Sequence, residues 1–331
     1  MMRTKRSTSR ENAATLFVVY GFMGVMFVLS ELISPGFLAV RNLSNILRQS
    51  AFLGMIAAGQ TLVILTAGTD LSVSYLATLG NVLAAQILSS SDANIPMALI
   101  VVVAVGAITG LVNGVGVHFL RIPSLIMTLG VGSVLQGIVY LYTKGAPKGN
   151  TSPLIKTIVS GNSLGPFPPL VFIWLVMAVG MVFLLRRTVF GRNVYSIGEN
   201  PLAARYAGIP VGRTLLTVYV ISGILSCVTG MLLVGYTGTS YLDVGTDYQM
   251  NSIAAVVIGG TYLSGGRGGY GGTIAGSIIM CVLLSILNII QLPAFGRSIV
   301  RGAIILVLLI AFGLQNKKRL AGRKLHGPHG N

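Results

Sequence analysis

Apolar segments of about twenty residues with few or no charges recur along the whole chain, and nothing constrains its fold more tightly. One of them, IPMALIVVVAVGAITGLVNGVGVHF at 95–119, contains no Lys, Arg, Asp or Glu. A helix rises 1.5 Å per residue, so about 20 apolar residues cross a hydrocarbon layer roughly 30 Å thick. Within that layer every backbone N–H and C=O must be satisfied by protein, as a helix does internally. Ten segments qualify: 13–33, 50–67, 71–91, 95–119, 123–143, 167–186, 214–236, 250–264, 272–291 and 297–315. The expected fold is all-α, a polytopic membrane protein of about ten transmembrane helices. Only 9% of its 331 residues are charged, too few to keep a soluble surface wet, and its 43 glycines suit membrane helices better than soluble ones.

The expected organisation is a short N-terminal tail at 1–12, a membrane domain at 13–315 and a basic tail at 316–331. The second and third segments are parted only by AGTDLS at 67–72, and the eighth runs into GGTYLSGGRGGYGG. Broken or re-entrant helices are expected at both places, where protein or water must cover the freed backbone. AGTDLS and GGTYLS echo each other at an offset of 192 residues.

A net charge of +16 invites a nucleic-acid reading, but the basic residues lie at the ends of apolar segments rather than along one face. The first apolar stretch exceeds the ~7–15 residues of a cleavable signal and ends without a small-residue cleavage site, so it reads as a retained span. Sixteen of the 23 Lys and Arg residues fall on the side that holds both termini and 191–213, seven on the other. Because basic loops stay inside, both termini are expected to be cytoplasmic. Cys227 and Cys281 lie in apolar segments and outline no disulfide framework; two of the three histidines are in the tail, so no metal cluster is expected.

GRNVYSIGENPLAARYAGIPVGR, 191–213, is the longest inner stretch that does not suit a bilayer. Asn200 is placed to cap a helix, Pro201 to occupy its first position and Gly208 to stop it in the left-handed region. The predicted helix has about two turns, too few to be stable alone in water. It must lie on a surface, either that of its own protein and lipid or that of a cytoplasmic partner, and Ala203, Ala204 and Ala207 allow close approach.

The chain shows no phosphate-binding loop of its own. GAPKGNTS, 145–152, has Asn150 where such a loop requires Lys. Buried ionisable groups, the usual relays of ion-driven transporters, are nearly lacking. Of seven acids only Asp70 is expected near the membrane interior, either capping the third span or touching solute. Uncharged polar side chains such as Gln60, Asn81 and Asn251 suit a neutral polyol, or hydrogen bonds between helices. No paired carboxylates or nucleophile–base constellation argues for an embedded enzyme.

GRNVYSIGENPLAARYAGI resembles the cytoplasmic loop of ABC-importer permeases of the ribose/galactose/arabinose class. AGQTLVILTAGTDLSVSYLATLG, 58–80, and NSIAAVVIGGTYLSGGRGGYGGTIAG, 251–276, are similar to that family's two signatures, in the same order. Ala67, Thr69, Ser74 and Tyr75 depart from the usual pattern near the presumed path, which bears on substrate more than on architecture. The resemblance implies an inner-membrane permease for a monosaccharide, acting as a pair of copies. A cytoplasmic ATPase would sit under each copy, holding ATP and Mg while this chain binds no cofactor, and a soluble sugar-binding protein would deliver cargo. It implies a coupling helix at 200–208 within a loop at 187–213. Asn200 would cap it, Glu199 and Arg205 would make polar contacts, and Ala203, Ala204 and Gly208 would pack closely on the ATPase. Gln60, Asp70, Ser72, Asn81 and Asn251 are then the expected pathway residues. The alternative is an autonomous secondary transporter or channel for a small neutral solute.

Overall fold

The computed structural model describes residues 2–161, 165–293 and 295–300 with positions 302, 303 and 306, and side chains from Thr15 onward. Its helices in chain order are α1 Met2–Ile33, α2 Val40–Leu65, α3 Val73–Leu88, α4 Ile95–His118, α5 Ser124–Thr143 and α6 Pro153–Ser160. They continue with α7 Pro169–Arg187, α8 Val189–Glu199, α9 Pro201–Tyr206, α10 Val211–Thr237, α11 Thr246–Ile258 and α12 Tyr270–Ile289. The chain divides into two compact units, Met1–Val282 and Leu283–Asn331. The second holds the end of α12 and a helical stretch at 295–300.

Six of the described stretches are long and apolar enough to cross a bilayer: Thr15–Ile33, Asp92–His118, Ser124–Thr143, Pro169–Arg187, Val211–Thr237 and Tyr270–Ile289. The second, third and eighth expected segments are not among them, for separate reasons. α2 is long enough at 26 residues, but it starts at Val40, ahead of the expected 50, and takes in Arg41, Asn42, Asn45, Arg48 and Gln49, which dilute its apolar run. α3 has 16 residues and α11 has 13, about 24 and 20 Å of helix, short of a full crossing. Most of the tenth expected segment, 297–315, lies outside the described residues.

α10 is the central post, packed against α2, α3, α4, α6 and α8. Apolar surface gives little drive for association inside lipid, so helices there gain by letting backbones meet at small residues. α4 repeats glycine every fourth position at 106, 110 and 114. A methyl added at Gly106 would sit 2.6 Å from the Gly223 carbonyl oxygen, and one at Gly110 only 2.3 Å from that of Tyr219. Some core polar groups pair across helices: the Trp174 indole donates to the Tyr270 hydroxyl at 2.8 Å, which donates to the Gly54 carbonyl at 2.8 Å. The opposite faces of α4, α5 and α7 expose Ile100, Ile108, Val134, Leu141, Val176 and Val179, as helices bordering lipid do.

Candidate functional site

AGTDLS folds as a true break between α2 and α3. Ala67 takes a left-handed φ of 62°, and its neighbours leave the helical ladder. Backbone freed inside a membrane must find partners in the protein. Here the partners are side chains from two other helices, α5 and α11. Ser124 Oγ accepts from the Thr69 N–H at 3.1 Å, Thr128 Oγ1 accepts from the Leu71 N–H at 3.0 Å, and Gln249 Nε2 donates to the Leu71 carbonyl at 3.2 Å. Asp70 lies inside this break and is 1% exposed. Its Oδ1 accepts from the Ser72 N–H at 3.0 Å and the Ser72 hydroxyl at 2.6 Å, while Oδ2 accepts from the Ser222 hydroxyl at 2.7 Å. Ser72 Oγ in turn accepts from Asn113 Nδ2 at 2.9 Å. One carboxylate therefore knots the start of α3 to α10 and, through Ser72, to α4. The bonded N–H belongs to Ser72, which precedes α3, so Asp70 organises the turn before the helix rather than capping its first turn.

The five expected pathway residues are spread over α2, the break before α3, α3 and α11. Asp70 and Ser72 share the knot. Gln60 on α2 is buried with neither amide atom partnered among the described residues. Asn81 accepts from the Tyr241 N–H at 3.0 Å through Oδ1, and Asn251 is buried on α11 with its Oδ1 unpartnered. A cavity of about 200 Å³ instead opens between the first turns of α3, the later half of α5 and the start of α11, lined by Tyr75, Thr78, Gln136, Tyr140, Asp243, Thr246 and Gln249 among others. None of the five lines it. Gln136 was legible only as a polar side chain flanked by apolar sequence, a signal shared with many structural residues, and Thr246 only as part of the polar connection between the seventh and eighth expected segments.

At the far end of α2 the three motif blocks touch. α8, whose N-terminus is capped by Thr188 accepting from the Gly191 N–H at 3.1 Å, buries Ile197 and places Val194 in an apolar cluster with Leu62, Leu65 and Leu185. Sequence reading gave no sign of α8 as a separate helix. Its last turn meets the glycine-rich loop 259–269. The Leu65 carbonyl, left free at the end of α2, accepts from the Gly266 N–H at 2.9 Å, and the Tyr195 hydroxyl donates to the Gly268 carbonyl at 2.9 Å. Burial raises the Tyr195 phenol's pKa, with Arg186 opposing, so it remains a hydroxyl donor at neutral pH. A methyl on Gly198 would fall 1.8 Å from the Leu65 carbonyl oxygen and 2.5 Å from the Gly266 nitrogen, so only glycine fits at this contact.

α9 follows at once. Asn200 Oδ1 accepts from the N–H groups of both Leu202 and Ala203 at 3.0 Å, Pro201 is the first helical residue, and Gly208 closes the helix at φ 78°. The helix has six residues, close to the two turns expected. Ala204 differs from its expected placing on a partner-facing surface: it is 4% exposed and turned into the protein. Leu202 and Tyr206, which sequence reading passed over, are 67% and 89% exposed. Glu199, Asn200, Ala203, Arg205 and Gly208 are exposed beside them.

Residues 42–310 match the family described as branched-chain amino acid transport system / permease component. The chain belongs to this permease family. It is 34% identical over 299 residues to the ribose import permease protein of Escherichia coli K12, a match covering 89% of this chain and 92% of that one. The galactose/methyl galactoside import permease protein of the same strain is 36% identical over 306 residues, covering 86% and 91% respectively. The ribose import permease protein of Bacillus subtilis is 35% identical over 301 residues, covering 90% and 92%. No solved structure matches the chain significantly. For a member of this permease family, the break at 66–72, the α8–α9 pair and the loop at 259–269 lie in the matched region and make one continuous contact.

Proposed function

We propose that the chain is the membrane-spanning permease subunit of an ABC importer that admits a monosaccharide, with both termini and the α8–α9 pair on the cytoplasmic face. Two copies would frame the path, each docking an ATPase through α9, and a soluble sugar-binding protein would deliver cargo on the opposite side. The ATPase, not this chain, would hold ATP and Mg. The similarity to ribose and galactose permeases over most of the chain supports a sugar as cargo. Uncharged amides and hydroxyls at membrane depth fit it, because they exchange hydrogen bonds with a neutral polyol without desolvating a charge.

The observation that carries the mechanism is the contact among Leu65, Gly198 and Gly266. α9 offers Leu202 and Tyr206 as apolar anchors, with Glu199 and Arg205 as flanking charges, to a groove on the ATPase. Tightening of the ATPases on ATP would displace α8 and α9 together. Backbone against backbone, with no flexible side chain between, passes that displacement to the end of α2 and the break behind it. The Asp70 knot holds that break through hydroxyls, which can trade partners at little net cost since each bond contributes about 1 kcal/mol. Asp70 and Ser72 then act as a latch between two arrangements of the path, with Gln60, Asn81 and Asn251 available along it.

The test is reconstitution in liposomes. With the ATPase, ATP and the loaded binding protein, sugar should accumulate; omission of any of these should stop it. Accumulation by this chain alone would overturn the proposal in favour of an autonomous transporter.

A further inference from the structure

The cavity between α3, α5 and the start of α11 differs chemically from the bundle around it. Gln136 projects from α5, a helix that otherwise presents Val134, Ile138 and Leu141 to its surroundings. A polar side chain within a span faces protein or a hydrated path, because lipid leaves its hydrogen-bonding groups unmatched. The amide of Gln136, the hydroxyl of Thr246 and the carboxylate of Asp243 line the same space and make no hydrogen bond to any described residue. Gln249 spends its Nε2 on the Leu71 carbonyl and keeps its amide oxygen. The rings of Tyr75 and Tyr140 complete the walls, and the lining holds neither Lys nor Arg.

This inventory selects a class of occupant. Unspent acceptors and donors beside aromatic faces suit a ring whose hydroxyls point outward and whose C–H face is apolar. An organic acid would bring a carboxylate to Asp243 with no cation to receive it, which is repulsive, and an amino acid could pair its ammonium with Asp243 but would leave its own carboxylate without a cation. At about 200 Å³ the space falls below the ~300–1,000 Å³ of pockets for drug-sized ligands, a size for one sugar ring rather than two.

We propose that this cavity is a transient monosaccharide subsite, in which Gln136, Asp243 and Thr246 hydrogen-bond the sugar and Tyr75 and Tyr140 cover its apolar face. It rests on the import reading above. Gln249 joins the subsite to the Leu71 carbonyl, one residue from Asp70, so occupancy is felt at the break that the inner face also moves.

Reconstituted complexes with ATPase and loaded binding protein test it. Gln136→Leu preserves helix and volume but removes the amide; loss of one substrate hydrogen bond should lower sugar uptake about ten-fold. A second variant guards against misassembly. Cys227 and Cys281 are buried, so Gln136→Cys supplies the one accessible thiol among the described residues. A membrane-impermeant thiol reagent added on the binding-protein side should cut its uptake at least ten-fold. The same reagent should leave wild type and Leu141→Cys, next to the cavity on α5, unchanged. Wild-type rates in both Gln136→Leu and reagent-treated Gln136→Cys would overturn the subsite while leaving the importer standing. Failure of the wild-type complex to import sugar would overturn the importer itself.

Discussion

Asn200→Ala isolates the contribution of one side-chain oxygen to coupling. That oxygen accepts two backbone N–H groups at 3.0 Å, and alanine leaves both without it. Loss of such a cap costs about 1 kcal/mol, within a range of about 0.5–2. A six-residue helix has no reserve to absorb the loss, since nucleation fixes several residues before propagation repays it. Only Ala204 on α9 is buried, so packing adds little. About 1 kcal/mol is roughly a five-fold change in the balance between formed and frayed helix. If docking takes the formed helix, apparent affinity for the ATPase falls by up to that factor. Asn200→Asp keeps the acceptor and adds a charge favoured at a helix N-terminus, so it should match wild type. Asn200→Gly should lie between, because glycine at a cap costs only a few tenths of a kcal/mol. The assay is ATPase binding to the purified permease, together with sugar moved per ATP hydrolysed. Equal binding and coupling in wild type and Asn200→Ala would refute the reasoning, and so would an Asp variant as impaired as Ala.

Two further substitutions probe the interior. Asp70→Ala strands the N–H and hydroxyl of Ser72 and the hydroxyl of Ser222 in a buried site, at about 1–3 kcal/mol for each unsatisfied group. Survival of folded protein in detergent after heating should fall sharply, whereas Asp70→Asn, which keeps one acceptor oxygen, should survive nearly as wild type; equal survival of Ala and wild type would dissolve the knot. Gly198→Ala must push α8 away from Leu65, since its methyl would lie 1.8 Å from that carbonyl oxygen. It should still insert and bind ATPase but move several-fold less sugar per ATP, and unchanged coupling would remove the proposed joint.

Local chemistry explains what was legible beforehand. Asn200, Pro201 and Gly208 act within a few residues of themselves, and α9 forms between them as the cap rules require. AGTDLS and GGTYLSGGRGGYGG both become interruptions between helices: the threonine, aspartate and serine of the first offer the backbone other hydrogen bonds, and the glycines of the second lower helix propensity. α8 escaped notice since its two glycines lower helix propensity and its apolar residues are few; burial of Val194 in the cluster with Leu62, Leu65 and Leu185 makes it worth forming. Partial crossings such as α3 and α11 read as full spans, for apolar content measures compatibility with lipid and not the depth at which a helix ends.

The order of residues alone determined that this chain lives in a bilayer as helices, which of its stretches break, and where a short capped helix stands apart. Those outcomes follow from hydropathy and from interactions spanning a few positions. Only the tertiary structure decided that Leu65, Gly198 and Gly266 share one contact and that Asp70 is a knot between three helices. It also decided that Gln136 faces Asp243 and Thr246 across a cavity. Such pairings join residues as far as 201 positions apart, from Leu65 to Gly266. They depend on how glycine-lined helices settle against α10, which no local pattern records.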